Sequence, residues 1–276
     1  MLLPYENEYI IIGDVHGCID ELKTLLAKQG FKTNNKNLLE ITPQNENKSI
    51  VLLGDFVDKG SDEKLRETIE FIHENYANLN KKRQRLYLIE GNHEGMVYRY
   101  ITKDSSLIIT PKTIANKEKY YNTVALLEKE PTLKKLFLEL YEHCLPWYKY
   151  EYGEDFSATL THAPCPEKYL CQDDKEAKRK MIKCVSRSKN PKLSLDELIP
   201  YTHEEAKDNE HYHIFGHLSQ ASIRQYKNKV CIDTSAIYAN TLTCAIINKN
   251  QLSFDSVPFE NKQEQGIQTY NTLFDF

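Results

Sequence analysis

The sequence predicts an α/β fold, with a block of βαβ units followed by a second, more antiparallel sheet. Three observations predict it. Short aliphatic runs end again and again in Gly-Asp or Gly-Asn and then pass into helical periodicity, which is the rhythm of βαβ units. Residues 97–146 turn to helical periodicity with no evident strand. From residue 147 onward, strand-like runs follow one another at closer spacing, as in an antiparallel sheet.

Taken in order, residues 9–12 are a buried strand closed by Gly13-Asp14. The stretch 19–30 spaces Ile19, Leu22, Leu25 and Leu26 along one helical face, and Gly30 is a fitting stop. A second strand covers 49–53 and again ends in Gly-Asp. The helix over 62–75 has Ser61 as N-cap and turns Leu65, Ile69 and Ile72 inward. A third strand, 85–89, precedes Gly91-Asn92-His93. The helical insertion is clearest at Leu133, Leu136, Phe137 and Leu140 and ends near Leu145-Pro146. The later runs are 147–152, 157–160, 213–215, 222–226, 229–232 and 242–247, with a polar, partly helical insertion over 167–210. A polar tail, 259–276, closes on Leu273-Phe274-Asp275-Phe276, expected to dock its aromatic pair.

The chain has 276 residues, 40% hydrophobic and 28% charged, with a net charge of −4. That is ordinary for a globular protein, and no global basic field argues for nucleic acid. No stretch approaches the roughly 18 apolar residues of a membrane helix, and the first residues do not read as a secretory signal. Seven cysteines without Cys-x-x-Cys spacing argue against a disulfide framework or a zinc knuckle. Reduced thiols in a cytoplasmic protein are the expectation; Cys18 and Cys165, beside two of the motifs, read as buried filler. The basic run 81–85 reads as a solvated loop. The basic stretch 175–192 could attract an anionic substrate.

Five separated pieces carry the chemistry: Gly13-Asp14-Val15-His16-Gly17, Gly54-Asp55-Phe56-Val57-Asp58-Lys59-Gly60, Gly91-Asn92-His93-Glu94, Thr161-His162-Ala163 and Phe215-Gly216-His217. Any one alone is a turn. Together they deliver carboxylates, imidazoles and an amide to strand ends, where open α/β sheets place their sites. A donor set of oxygen and nitrogen without thiolate suits two divalent ions such as Mn²⁺, Fe or Zn²⁺. Asp14 and His16, two residues apart, can share one ion. Asp55 can bridge two, and Asn92, His162 and His217 offer neutral donors to the second.

The motif series resembles the phosphoprotein phosphatase (PPP) family of metallophosphoesterases, most closely its short bacterial and bacteriophage members, from Gly13 to about Thr241. The resemblance implies a calcineurin-like sandwich of two β-sheets flanked by helices, with residues 1–258 as one catalytic domain. It implies Asp14, His16 and Asp55 on one metal, and Asp55, Asn92, His162 and His217 on the other. His93 would be the general acid and Asp58 its orienting partner, although a turn-capping role for Asp58 is the alternative. The phosphate clamp departs from the family: Lys59 and Glu90 stand where arginines are usual, and Arg187 resembles the remaining clamp arginine. Asn92 would also touch phosphate. Tyr238 would lie near the mouth of the site, or else in the core.

The expected activity is a dinuclear phosphomonoesterase acting on phosphorylated protein, at serine/threonine or tyrosine, with Mn²⁺ the favoured metal. Glu90 would make polyphosphates poor substrates. The alternatives are a dinucleoside polyphosphate hydrolase, an enzyme acting on RNA ends or cyclic nucleotides, and a non-catalytic scaffold with the same fold. No membrane partner is expected, and nucleic acid enters only as an alternative substrate.

Overall fold

The computed structural model describes residues 1–105, 107, 109–183 and 206–260. Arg187 and the aromatic end of the tail lie outside them. In chain order the elements are β1 (Leu2–Leu3), β2 (Glu8–Ile12), α1 (Ile19–Lys28), β3 (Lys48–Leu52), α2 (Asp62–Leu79), β4 (Leu86–Ile89) and α3 (Asn92–Thr102). They continue with α4 (Pro111–Tyr120), α5 (Asn122–Lys129), α6 (Pro131–Glu142), β5 (Cys144–Leu145), β6 (Trp147–Tyr152), β7 (Phe156–Thr161) and α7 (Lys175–Ile182). The last are β8 (His211–Phe215), β9 (Arg224–Tyr226), β10 (Lys229–Cys231), β11 (Thr241–Asn248) and β12 (Gln251–Pro258).

Two sheets result. One has the order β12-β11-β2-β3-β4-β5, the other β1-β6-β7-β8-β10-β9. Strands β2 to β5 are parallel neighbours, as the βαβ rhythm requires. Alternation along each strand builds two cores. Tyr9, Ile11, Val51, Leu53 and Tyr87 face the other sheet and meet Tyr148, Tyr150, Leu160, Ile214 and Val230. Ile10, Ile12, Ile50, Leu52 and Leu88 face outward to the apolar stripes of α1, α2, α5 and α6. Strands buried on both faces explain why residues 9–12 and 50–53 are unbroken aliphatic runs.

Four expectations need correction. The run 242–247 joins the first sheet as β11, antiparallel to β2, because its two faces fill both cores. The second sheet is mixed: β6–β7 and β9–β10 are antiparallel, whereas β1–β6, β7–β8 and β8–β10 are parallel. Within the helical insertion, Cys144 and Leu145 leave the helix to pair with Leu88 and Ile89 as an edge strand. The helix from Asp62 also runs on to Leu79, past 75. Ser61 caps it as read, its side chain accepting from the N–H of Lys64. Among the described residues no helix is long and apolar enough to cross a membrane.

Candidate active site

The loops that leave β2, β3, β4, β7 and β8 converge at one end of the sandwich, and the backbone ties them together. The N–H groups of Val15 and His16 both donate to the carbonyl of Asp55, at 3.1 and 2.8 Å. Gly216 N–H donates to His162 O at 2.8 Å. The approach is so close that a side chain on Gly13 would meet Ile232 O at 2.7 Å. Five non-glycine residues here hold left-handed backbone, namely His16, Asp55, Asp58, Lys59 and His217, with φ between 46° and 68°. Such strain concentrates where a fold over-determines a functional geometry.

Asp55 is the centre. Its Oδ1 accepts from His93 N–H at 3.0 Å. Its Oδ2 lies 3.5 Å from His16 Nε2, 3.4 Å from His162 Nε2 and 4.0 Å from His93 Nε2. Carbonyls fix the imidazoles. His16 Nδ1 sits 2.7 Å from Val57 O and His162 Nδ1 2.8 Å from Leu53 O. A carbonyl only accepts, so each Nδ1 carries the proton and each Nε2 turns a lone pair inward.

That lone pair on His162 faces Asn92 Oδ1 at 3.0 Å, His217 Nδ1 at 3.1 Å and Asp55 Oδ2. Acceptors crowded this closely in a buried site repel unless a cation stands among them. Two groups of atoms could hold an ion: His16, Asp55 and His93, and Asp55, His162 and His217. Asp55 belongs to both, so the residues fit a pair of divalent ions with a shared carboxylate. Electrostatics agree. Burial works against the charge on Asp55, yet His162, His93 and His16 hold its carboxyl well below the usual range. Burial likewise opposes charge on His162, but Asp55, Asp14 and Glu94 outweigh it and push its pKa up to about 10.

Asp14 is adjacent but turned. Its carboxylate oxygens accept from the N–H of His217 at 3.1 and 3.2 Å. Burial and the neighbouring Asp233 raise its pKa. His93 takes the third corner beside His16 and Asp55. Its Nδ1 is 2.7 Å from Asp58 Oδ2, in full burial. Asp58 is therefore bound to His93.

The structure adds residues that sequence reading left without a role. Thr123 on α5 grips Asp58 reciprocally: Asp58 N–H donates to Thr123 Oγ1 at 2.8 Å, and Thr123 N–H donates to Asp58 Oδ1 at 2.9 Å. Asn122 does the same next door, accepting from Lys59 N–H and donating to Gly60 O, both at 2.9 Å. Glu94 is buried, and its carboxylate accepts from the N–H groups of Asp55, Phe56, Val57 and Gly91 at 2.7–3.2 Å. Glu94 at N3 reaches back to the N–H of the N-cap Gly91, which is half of a capping box and a spacing that could have pointed to it. Nothing local points to Thr123. His162 is supported from behind. Thr161 Oγ1 donates to Ala163 O at 2.8 Å and so accepts from His213 Nε2, also at 2.8 Å.

Lys59 and Tyr238 lie together at the rim. Lys59 Nζ is 2.9 Å from His16 Nε2 and 5.6 Å over the ring of Tyr238, a half-exposed side chain. Glu90 closes β4 immediately before Gly91-Asn92. It accepts from the Tyr141 hydroxyl at 2.8 Å and lies against Gly95, and burial raises its pKa. Cys18 and Cys165 are buried, as filler would be. Arg187 falls outside the described residues.

The calcineurin-like phosphoesterase family matches residues 9–226. The bis(5'-nucleosyl)-tetraphosphatase PrpE (asymmetrical) of Oceanobacillus iheyensis is 28% identical over 238 residues, which is 84% of this chain and 86% of that protein. The protein of the same name from Bacillus mycoides is 27% identical over 241 residues, covering 86% and 89%. A crystal structure provisionally named a diadenosine tetraphosphatase superposes with a TM-score of 0.57 at 16% identity, covering 95% of this chain and 98% of that one. A variant of a cold-active protein tyrosine phosphatase gives 0.55 at 15% identity, covering 94% and 83%. At such identities the two structures speak for the fold alone.

Proposed function

Because the chain belongs to the calcineurin-like phosphoesterase family and is a metal-dependent phosphoric ester hydrolase, we propose that it cleaves dinucleoside tetraphosphates asymmetrically, to a nucleoside triphosphate and a nucleoside monophosphate. The observation that carries this choice is the near end-to-end likeness to relatives bearing that name. A phosphoprotein substrate, which the motif resemblance favoured, has less support. We assign residues 1–258 to the catalytic domain and Mn²⁺ as the metal.

The family uses a dinuclear site. In this chain Asp55, Asn92, His162 and His217 would hold one ion, and Asp55, His16 and Asp14 the other, Asp14 after turning from His217 N–H. When bound, the ions supply Lewis acidity at the phosphate and lower the pKa of water. His93 stands at the same carboxylate, where it can hydrogen-bond the departing oxygen and give it a proton when that oxygen is basic. Asp58 keeps its proton on Nδ1 and steadies the imidazolium. Lys59 and Tyr238 border the phosphate, with Arg187 as the third partner.

Chromatography of the products decides between substrates. With Mn²⁺ added, diadenosine tetraphosphate should give ATP and AMP in equal amounts, and chelator should stop the reaction. Two ADP per substrate would reject asymmetry. A higher kcat/KM on every phosphopeptide tried would reject the nucleotide reading.

A further inference from the structure

A cavity of about 800 Å³ opens between the end of α3, α4 and the start of α5. It is lined mainly by Tyr100, Leu107, Ile109, Ile114, Tyr121 and Ala125. Its volume falls within the roughly 300–1,000 Å³ of sites that take whole small molecules. Ile109 and Ile114 are 64% and 49% exposed, an apolar surface that folding alone does not ask for.

The cavity shares a wall with the phosphate site. Tyr121 lines it and also packs on His93, with ring centroids 5.3 Å apart. Asn122 lines it and holds the backbone of Lys59 and Gly60. The rings of Tyr100 and Tyr121 lie 5.8 Å apart, tilted by 45°. At the edges, Lys103 and Lys117 are matched by Asp104 and Glu118, so the chamber carries no net charge. A chamber with aromatic walls and balanced charges does not select phosphate. It suits a flat, neutral, stacking group joined to phosphate.

We propose that this cavity is the nucleoside subsite, which receives the base and sugar of a nucleotide whose phosphates lie at Asp55. The inference rests on the nucleotide reading above and adds the element that selects the substrate. A peptide side chain is the weaker occupant, because the chamber is far larger than one side chain and offers two tyrosine rings.

Two variants at exposed positions fill the cavity, Ala125→Trp on α5 and Ile114→Trp on α4. Each is assayed on diadenosine tetraphosphate and on 4-nitrophenyl phosphate, and AMP binding to the metal-free protein is measured by equilibrium dialysis. We expect KM for the tetraphosphate to rise about tenfold or more, AMP affinity to fall by a similar factor, and aryl phosphate turnover to stay within about twofold. Unchanged KM and unchanged AMP affinity in both variants would overturn the subsite. If the wild type hydrolyses aryl phosphate but not the tetraphosphate, the substrate reading fails. Loss of AMP binding in the variants would then still uphold the subsite, and unchanged AMP binding would sink both. A rise in KM confined to phosphopeptides would assign the cavity to a peptide and overturn the proposal.

Discussion

Thr123→Val tests whether a residue from the helical insertion sets the geometry of the proposed acid. The change keeps the branched shape and removes one acceptor. The N–H of Asp58, 2.8 Å from Thr123 Oγ1, is then left without that partner in full burial. An unpaired buried amide costs about 1–3 kcal/mol. Asp58 also sits at φ 65°, a conformation that holds its own strain and needs such bonds to persist. In a domain of this size each kcal/mol lowers Tm by roughly 2–4 °C, so the variant should melt about 2–12 °C lower. If the same energy is lost in the transition state because His93 no longer points correctly, kcat falls about five- to a hundredfold. Thermal melts and steady-state rates on an alkyl phosphate read both effects. Thr123→Ser, which keeps the hydroxyl, should stay near wild type. A Val variant within about 0.5 kcal/mol of wild type, with unchanged rates, would refute the anchoring role.

Three further outcomes are expected. His93→Asn should cost roughly 10²–10⁴ in kcat on alkyl phosphates and much less on nitrophenyl phosphate or an anhydride, whose leaving groups need little protonation. Equal losses across leaving groups would mean that His93 holds the ion pair and donates no proton. Asp55→Asn should abolish activity and lower bound metal, read by elemental analysis, from two ions towards none, because one carboxylate serves both; retention of two ions would remove the bridge. Burial works against the charge on Asp255, but Lys28 and Gln29 hold its carboxyl below the usual range. A depressed folded pKa adds stability above the unfolded value, near 4, that is lost as pH falls through the folded one. Asp255→Asn should therefore be less stable than wild type at neutral pH, by under about 1 kcal/mol for so exposed a pair. The stability gap in urea titrations should narrow as pH falls below about 4; a gap that does not narrow with acid would contradict the assignment.

Much of the site was legible because its signals are local. Aliphatic runs closed by Gly-Asp place Asp14 and Asp55 at strand ends, and these strands do pair in parallel. Thr123 and Asn122 were not legible. They reach Asp58 and Lys59 across more than sixty residues of chain, through backbone groups that every residue carries. The partner of Glu90 was out of reach for a related reason: Tyr141 lies fifty-one residues on, and nothing near Glu90 points to it. The strand 242–247 was recognised but placed in the wrong sheet, since alternation specifies a two-faced strand without specifying its neighbour.

The position of β11 has a consequence for how this chain is made. It lies between β2 and β12 and pairs residues 244–247 with 9–12. While a ribosome works through the intervening residues, the open side of β2 has no strand to bond. At 5–20 residues per second that wait lasts on the order of ten seconds or longer. An open, largely apolar strand edge is a template for other chains. A nascent chain cut short before Thr241 would thus carry every residue from Asp14 to His217 and still present a sticky edge. Complete synthesis, more than possession of the reactive groups, would decide whether a copy stays in solution.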